Sequence, residues 1–315
     1  MAVDTSILII TRASDLARKQ TDLVHRHLLD LHPDIHFQIN AVSTKGDEVL
    51  DKPLAKIGDK GLFTQALEEA LLYGDADMAV HSLKDLPTQL PKEMKIGAVC
   101  KRENLRDAFV SKDGTKLADL PKGATVGTSS LRRRSQLLAF RPDLNVVDMR
   151  GNLNTRWRKL HESDEMAGLI LAAAGLLRMG WEERITEFID TDIMLPAVGQ
   201  GAIAVEIRQG DPFMDQLTAE LTDADAWRDT MCERALLRRL EGGCQVPIGA
   251  YARMDDGDFI LEGMIGSLDG TRIVRDGLIG DPADPEGLGN ALAERLLDKG
   301  GDEILAEVRA AEAEG

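Results

Sequence analysis

Hydrophobic and polar positions at the start of the chain follow the order strand, helix, strand. Residues 7–10 form a short apolar run, and apolar positions then recur at helical spacing between Leu16 and Leu31. Alternating apolar residues at 35–41 are typical of a second strand. Two strands joined by a helix predict a β-α-β unit, and therefore a parallel sheet. A further helix and two strands are predicted at 64–73, 77–81 and 94–99.

A second stretch of the chain repeats this order of elements. Its strand, polar turn, helix and strand occupy 124–127, 128–130, 131–140 and 145–149. Ser129 is expected to cap the helix, because a hydroxyl at the cap position accepts a hydrogen bond from the first turn. The polar segment 101–104 and the glycine-containing segment 196–201 are interpreted as crossings between two domains. The sequence therefore predicts two similar α/β domains.

The last part of the chain has a different pattern. Three strand-like runs occupy 248–254, 259–267 and 272–279. Asp-Gly turns separate them, which predicts an antiparallel meander. A helix at 285–299 would cover the sheet and complete a small α+β domain, and the acidic tail beyond it is expected to stay solvated.

Length and composition exclude several classes of protein. At 315 residues the chain is long for one core, and no apolar run approaches the ~20 residues of a membrane-spanning helix. The first residues lack the basic and apolar regions of an export signal, which predicts a cytoplasmic protein. Three cysteines without close spacing indicate neither a disulfide framework nor a zinc site. The formal charge of −16 argues against nucleic acid or an anionic membrane as partner.

Positive charge is concentrated in one segment, against the sign of the whole chain. Nine basic and two acidic residues between positions 121 and 160 give a local charge of +7. A cleft lined by one sign of charge attracts ligands of the opposite sign, so an anionic small molecule is the predicted ligand. Arg132 and Arg133 lie in the first turn of a predicted helix, where they oppose the helix dipole unless a bound carboxylate offsets them.

Polar side chains cluster where the predicted strand at 77–81 ends. His81, Ser82, Lys84 and Asp85 lie at its carboxyl end, which is where open α/β sheets bind their ligands. A carboxylate beside cations in such a cleft is a candidate functional group, because its pKa can be shifted in either direction. The residues alone leave open a surface turn in which Lys84 and Asp85 neutralise each other.

Two loops stand out by composition. In Gly242-Gly243-Cys244, adjacent glycines permit backbone geometries that suit a loop holding a bulky group on its thiol. A tight turn with a buried cysteine is the competing interpretation. The segment 44–61 carries several lysines and has no sustained periodicity, which favours a mobile lid.

Four stretches, in order along nearly the whole chain, match one known family. They read VHSLKDLP at 80–87, VGTSSLRR at 126–133, LPAVGQG at 195–201 and EGGCQVP at 241–247. Together they resemble the porphobilinogen deaminase family, whose members are also called hydroxymethylbilane synthases.

The resemblance implies a fold of three domains. Two are similar α/β domains built like type II periplasmic binding proteins, and the third is a small α+β domain with a three-stranded sheet that carries the cysteine. Carried over to this chain, the first domain comprises residues 1–101 and 201–220, the second 106–195 and the third 223–315. The active site is expected between the first two domains.

The resemblance also implies an activity. Members of the family are transferases of tetrapyrrole biosynthesis, which join four porphobilinogen molecules head to tail, release ammonia at each step and hydrolyse the product to hydroxymethylbilane. Their dipyrromethane cofactor is attached through a thioether to a cysteine, here Cys244. We therefore expect a monomer that binds porphobilinogen and neither nucleic acid nor membrane.

Site residues follow from the matching positions. Asp85 is the expected catalytic carboxylate, because it would stabilise the electron-poor pyrrole left when ammonia departs. Besides Cys244, the residues expected to bind the cofactor are Ser82, Lys84, Thr128, Ser129, Arg132, Arg133 and Arg150. Those expected to bind the substrate are Arg12, Ser14, Lys60, Arg156, Arg178 and Gln200. No metal is expected.

Two other interpretations compete with this assignment. One is a non-catalytic anion-binding protein of the periplasmic type, against which the missing export signal and the Cys244 loop argue. The other is a cysteine hydrolase, although no histidine or other obvious base lies near Cys244 in the sequence. The mass of the intact protein distinguishes all three, because only the first assignment requires a covalent pyrrole adduct.

Overall fold

The computed structural model describes residues 6–44, 46, 63–240 and 246–314, which form three β-sheets with surrounding helices. The strands in these ranges are β1 (Ser6–Arg12), β2 (His36–Val42), β3 (Met78–Ser82), β4 (Met94–Val99), β5 (Asp107–Ser111), β6 (Thr125–Gly127), β7 (Asn145–Val147), β8 (Met166–Ala172), β9 (Glu187–Phe188), β10 (Ile203–Arg208), β11 (Ile248–Asp255), β12 (Asp258–Gly266) and β13 (Ile273–Gly280). The α-helices are α1 (Asp15–Leu31), α2 (Gln65–Tyr73), α3 (Leu131–Phe140), α4 (Leu153–Glu162), α5 (Ala173–Met179), α6 (Pro212–Ala219), α7 (Ala224–Arg239), α8 (Pro285–Leu296) and α9 (Asp302–Glu314). Within the described ranges, none of the helices has the length and apolarity needed to cross a bilayer.

Two of the sheets share one strand order. The first runs β2-β1-β3-β10-β4 and the second β7-β6-β8-β5-β9. In each sheet three parallel strands are followed by an antiparallel strand and then an edge strand. The antiparallel strand is β10 in the first sheet and β5 in the second, and each enters its sheet directly after a crossing between the two sheets. The shared order confirms the predicted pair of similar α/β domains.

Helices cover the first sheet on both of its faces. Ile7 and Ile9 of β1 pack with Val24 and Leu28 of α1. Leu8 and Ile10, which alternate with them, pack on the opposite face in a cluster that includes residues of α2. A parallel strand buried on both faces reads as a continuous apolar run, and this explains the pattern of residues 7–10.

The third sheet is the antiparallel meander β11-β12-β13, as predicted, and α7 and α8 pack on it. The expectation of a solvated acidic tail is wrong, because residues 302–314 form α9. Ile304, Leu305 and Val308 of this helix are buried in the core of the third domain. Their spacing of one, three and four positions places them on one face of the helix, while Asp302, Glu303 and Glu307 are exposed.

Three predicted features lie outside the described residues. The lid predicted at 44–61 is described only at Thr44 and Gly46. Lys60 belongs to that segment, and the loop that carries Cys244 also falls outside the described ranges. Predictions about these residues therefore stay predictions.

Candidate active site

Two strands of the first sheet end beside each other with charged side chains. β1 ends at Arg12, and β3 is followed by a single 3-10 turn, Leu83–Asp85. Arg12 Nη1 lies 3.7 Å from Asp85 Oδ2, and its guanidinium carbon lies 4.3 Å from the centroid of the Phe63 ring. Together with His81, these residues line a small cavity, here termed the Asp85 cavity. Phe63 was not predicted as a site residue, since nothing in its sequence context pairs it with Arg12.

Two predicted hydroxyl ligands near this cavity have partners within the chain. Ser82 and Gln20 of α1 exchange hydrogen bonds: the amide nitrogen donates to Ser82 Oγ at 2.9 Å, and the hydroxyl lies 3.1 Å from the amide oxygen. Ser14 caps α1, where its side chain accepts from the Ala17 amide at 3.4 Å. Ser82 lines the Asp85 cavity, whereas Ser14 mainly fixes the start of the helix.

Lys84 contacts the return crossing between the first two domains. Its Nζ donates to Gln200 Oε1 at 3.4 Å. Burial lowers the pKa of Lys84 to about 8; the nearby charge of Arg133 acts in the same direction, and that of Asp85 opposes it. Lys84 lines a second cavity, here termed the Lys84 cavity, whose other walls include Pro87, Ser130, Arg132, Leu237 and Val246. The adjacent residues Lys84 and Asp85 therefore open onto two different cavities.

A buried carboxylate that was not predicted holds two of the three arginines of α3. Arg132 Nη1 donates to Asp107 Oδ2 at 2.7 Å, and Arg133 Nη2 and Nε donate to Asp107 Oδ1 at 2.7 and 2.9 Å. Burial alone would raise the pKa of Asp107, but Arg132 and Arg133 hold it well below its usual range. The carboxylate that offsets Arg132 and Arg133 at the start of α3 is therefore a side chain of the protein, where the sequence predicted a carboxylate of a bound ligand.

The two arginines differ in how much of their bonding capacity the protein uses. Arg133 also donates from Nη1 to the Ile170 carbonyl at 3.0 Å, so all three of its nitrogens are engaged. Among hydrogen bonds between described residues, Arg132 uses Nη1 alone, which also donates to the Leu195 carbonyl at 2.6 Å. Since Arg132 lines the Lys84 cavity, it is the arginine better placed to meet a ligand there.

Gln200 connects the two domains at the buried carboxylate. Its amide nitrogen donates to Asp107 Oδ1 at 3.0 Å and to the Leu105 carbonyl at 2.8 Å, while its oxygen accepts from Lys84. The side chain is completely buried. Gln200 therefore fixes the position of Lys84 relative to Asp107, the carboxylate that pairs with Arg132 and Arg133.

The hydroxyls of residues 128–130 are distributed differently from the prediction. Ser130, and not Ser129, caps α3, where it accepts from the Arg133 amide at 3.4 Å. Ser129 Oγ accepts from the Met149 amide at 2.8 Å, and Thr128 Oγ1 accepts from the Ser130 amide at 3.2 Å. Three consecutive hydroxyl residues satisfy the same sequence rule for a cap, so the pattern could not fix which of them takes it.

Helix α4 brings a further arginine to the cleft. Arg156 Nε donates to the Gly151 carbonyl at 2.7 Å. Burial lowers the pKa of Arg156 to about 10, the charges of Arg133 and Arg150 add to this effect, and Asp85 opposes it. Two cations of the second domain and a carboxylate of the first are therefore near enough to Arg156 to influence its charge.

Arg178 occupies a separate position at the return crossing between the domains. Its Nη2 donates to the Gly201 carbonyl at 2.6 Å. Burial lowers the pKa of Arg178, while the charge of Glu103 opposes the shift. Its described contacts fix the crossing and do not include the cations around Lys84.

Glu233 of α7 ties the third domain to both crossings. It pairs with Arg102 of the first crossing at 2.7 Å and accepts from the Gly199 amide of the second at 2.8 Å. It also accepts from the Ala252 amide of β11 at 3.1 Å. The third domain is thus anchored next to Gln200. In the described part of the chain, no group of three or more His, Cys, Asp and Glu side chains is arranged to hold a metal ion.

Family models match most of the chain. The model for the "dipyromethane cofactor binding domain" of porphobilinogen deaminase matches residues 7–216. The chain belongs to the porphobilinogen deaminase family. A second model, for the C-terminal domain of porphobilinogen deaminase, matches residues 227–298.

Curated relatives that carry the same family name match the chain over nearly their whole length. The porphobilinogen deaminase of Desulfitobacterium hafniense is 55% identical over 304 residues, covering 96% of this chain and 98% of the relative. That of Carboxydothermus hydrogenoformans is 51% identical over 303 residues, covering 96% and 97%. Among solved structures, a YaeC-family lipoprotein of Enterococcus faecalis covers 70% of this chain and 92% of its own, with 17% identity and a TM-score of 0.42. A periplasmic binding protein of Salmonella typhimurium covers 69% and 92%, with 14% identity and a TM-score of 0.39.

Asp107→Asn is expected to destabilise this porphobilinogen deaminase family member by about 3–5 kcal/mol, because it leaves two buried arginines without a counter-charge. The native carboxyl has a lowered pKa, so its contribution is fully present above the unfolded-state pKa of about 3.9 and is lost as pH falls through the folded value. Urea denaturation of both proteins should show a constant difference from pH 7 to pH 5 and a narrowing one below about pH 4.

Asp143→Asn is the matched control for this prediction. Asp143 also accepts two hydrogen bonds from one arginine, Arg141, at 2.8 Å each, but this pair lies near the surface. Water screens an exposed pair, which therefore contributes little to stability, so the control should remain close to the parent protein. Equal losses in the two variants would contradict the assignment of Asp107 as the buried counter-charge.

Proposed function

We propose that the chain catalyses the porphobilinogen deaminase reaction, the stepwise condensation of four porphobilinogen molecules with loss of ammonia and final hydrolysis to hydroxymethylbilane. The observation that carries this proposal is the position of Lys84 and Asp85. These neighbours open onto separate cavities, one lined by Arg12 and the other by Arg132. In this proposal, Asp85 and Arg12 meet the reacting unit, and Lys84 and Arg132 meet the anchored unit.

The proposed role of Asp85 is electrostatic. When the C–N bond of the substrate breaks, ammonia leaves with the electron pair, and the remaining pyrrole becomes electron-poor. A carboxylate beside its nitrogen lowers the energy of that species. Arg12 Nη1 lies 3.7 Å from Asp85 Oδ2 and holds the Asp85 side chain near the carboxyl end of β3. The positive charge of Arg12 can also pair with a substrate carboxylate.

Substrate carboxylates are matched by cations from both domains. Each porphobilinogen carries an acetate and a propionate, and the growing chain therefore accumulates negative charge. Arg132 lines the Lys84 cavity and donates only from Nη1 to other described residues, so it is proposed as a direct contact. Arg133 is proposed to act through its positive charge, since all its nitrogens are engaged. Arg150 and Arg156 are proposed to bind carboxylates of the polypyrrole as it lengthens.

The residues around the Lys84 cavity fit a dipyrromethane. Val198, Leu237, Val246 and Ile248 provide apolar walls for pyrrole rings, while Lys84 and Arg132 provide charges for their carboxylates. When bound, the cofactor supplies the pyrrole carbon to which the first substrate is joined. We propose Cys244 as its thioether attachment, and Val246 of the cavity wall is two residues from it in the sequence. Thr128 and Ser129 are proposed as further ligands.

The alternatives have less support. A non-catalytic anion-binding protein would account for the cations of the site. It would not account for Asp85, a carboxylate placed among them. A cysteine hydrolase would need a base beside Cys244, and neither the sequence nor the family suggests one. The transferase activity is thus the preferred proposal. The monomeric state and the cytoplasmic location stay predictions from the sequence.

Intact-protein mass spectrometry and turnover of the purified protein test the function. We expect a mass in excess of the sequence mass by two pyrrole units, and release of one ammonia for each porphobilinogen consumed. Adding substrate should produce a ladder of covalent species that differ by one pyrrole unit. A protein of unmodified mass that consumes no porphobilinogen would rule out the proposed function.

A further inference from the structure

A buried polar cluster lies behind the Asp85 cavity. His81 of β3 and Glu206 of β10 place Nε2 and Oε2 3.0 Å apart, with the two side chains 2% and 0% exposed. Glu68 of α2 and Thr64, the residue before that helix, lie beside them, and burial raises the pKa of Glu68. Three elements of the first domain thus bring these groups together: His81, Glu206 and Thr64 are buried, and Glu68 is half-buried.

The groups of the cluster are coupled to each other. His81 Nε2 and Glu206 Oε2 form a completely buried pair, and a hydrogen bond from Thr64 and the charge of His81 act against the effect of burial on the pKa of Glu68. Among the described residues, the other Glu206 oxygen, Oε1, is buried without a hydrogen-bond partner. A buried polar atom without a partner costs about 1–3 kcal/mol in folding, so stability alone does not account for a carboxylate at this position.

Position connects the cluster to the proposed chemistry. His81 lines the Asp85 cavity together with Arg12, Ser82 and Asp85. Glu206 lies on the neighbouring strand, where it pairs in register with Ala79, two residues before His81. The imidazole consequently stands between the cavity and a carboxylate that is completely buried.

We propose that His81 and Glu206 accept the proton that each condensation releases, and that Glu68 is the group to which this proton can pass next. This inference rests on the proposed function. In each condensation, ammonia leaves with the electron pair of the broken C–N bond, and the α-carbon of the chain end supplies the pair for the new C–C bond. That carbon then loses its hydrogen as a proton, and the pyrrole ring becomes aromatic again. The imidazole takes this proton, and the Glu206 carboxylate offsets its charge.

The departing ammonia returns the cluster to its starting protonation state. Ammonia is a base, and it carries the proton away as ammonium before the next substrate reacts. The overall change is therefore one ammonium for each porphobilinogen, which enters with its amino group protonated. No oxidant, reductant or further reactant is needed.

Glu206→Gln in the full-length holoenzyme tests the proposal, because it keeps the shape of the side chain and removes its charge. The substrate is porphobilinogen carrying deuterium on its free α-carbon, which each bound unit loses when the next one attaches. In the parent enzyme we expect equal rates with deuterated and ordinary substrate. In the variant we expect kcat to fall at least about tenfold, KM to change little, and the deuterated substrate to react more slowly.

Glu262→Gln is the control for an effect on stability alone. Glu262 bridges Arg253 and Arg275 in the third sheet, away from the Asp85 cavity, with both pairs at 2.8 Å. This variant is expected to lose some thermal stability and to retain kcat without an isotope effect. His81→Gln provides a second test if Glu206→Gln folds poorly, and it should show the same isotope effect.

Two outcomes would overturn the proposal. One is a Glu206→Gln enzyme with kcat within twofold of the parent. The other is a slower enzyme, for either Glu206→Gln or His81→Gln, with no sensitivity to deuterium. Failure of the proposed function has a different signature, because the parent protein would then consume no porphobilinogen.

Discussion

Asp85→Asn is expected to lower the rate of ammonia release by about 10²- to 10³-fold, the usual effect of removing one preorganised electrostatic contact to a transition state. Asparagine has nearly the same shape, so the covalent cofactor and the ladder of bound species should still form, though slowly. Single-turnover measurements of ammonia release, with intact mass on the same samples, separate the loss of chemistry from the loss of cofactor.

Asp77→Asn is the matched control for this variant. Asp77 lies next to the opposite end of β3, pairs with Arg208 at 3.2 Å, and has a side chain 31% exposed, against 32% for Asp85. The control should turn over at the parent rate, because its carboxylate is far from the strand end that carries the site. Retention of turnover within tenfold in Asp85→Asn would remove that residue from the catalytic role.

Cys244→Ser is expected to give a protein of unmodified mass with activity at the background level. A serine hydroxyl is a much weaker nucleophile than a thiolate, so the attachment of the dipyrromethane should fail. Because the binding residues remain, the variant should fold normally. Intact mass and turnover, measured on the same preparation, check both parts of the prediction.

Cys100→Ser serves as the control, since Cys100 is also a cysteine of the chain but lies against the first domain's core. Burial raises the pKa of its thiol to about 11, which keeps it protonated and unreactive at neutral pH. Burial also raises the pKa of Cys232, which is completely enclosed in the core of the third domain. An adduct that persists in Cys244→Ser, or is lost in Cys100→Ser, would contradict the proposed attachment.

The sequence predicted the architecture well because its signals are local. The helix at 131–140 was predicted at the residues where the structure has it, since a polar turn, a helical run and a following strand are read within one short window. The strand near 77–81 was recognisable for the same reason: it is a buried apolar run with polar residues at its end. The strand β9 was missed because two residues are too short to show a pattern. The helix α4 was missed although Leu153, Trp157 and Leu160 recur at helical spacing and pack in one cluster, because its many polar and basic residues were interpreted only as ligands.

The interior of the site was less predictable, because its partners are far apart in the chain. Asp107 meets Arg132 and Arg133 across 25 and 26 residues, and it meets Gln200 across 93. In the sequence Asp107 is only an acidic residue at the start of an apolar strand. Burial of a charge is a property of the folded packing, so only the three-dimensional structure could show that the predicted ligand arginines are already paired.

The exchange of strands between the first two sheets constrains the order in which they are completed during synthesis. All strands of the second sheet lie between residues 107 and 188, so a ribosome has produced the whole of it before the return crossing is made. The first sheet has four strands by residue 99, but β10, which belongs between β3 and β4, arrives only with residues 203–208. The nascent first domain must therefore keep a gap in its sheet while the second domain folds, and unpaired strand edges of this kind are prone to aggregation.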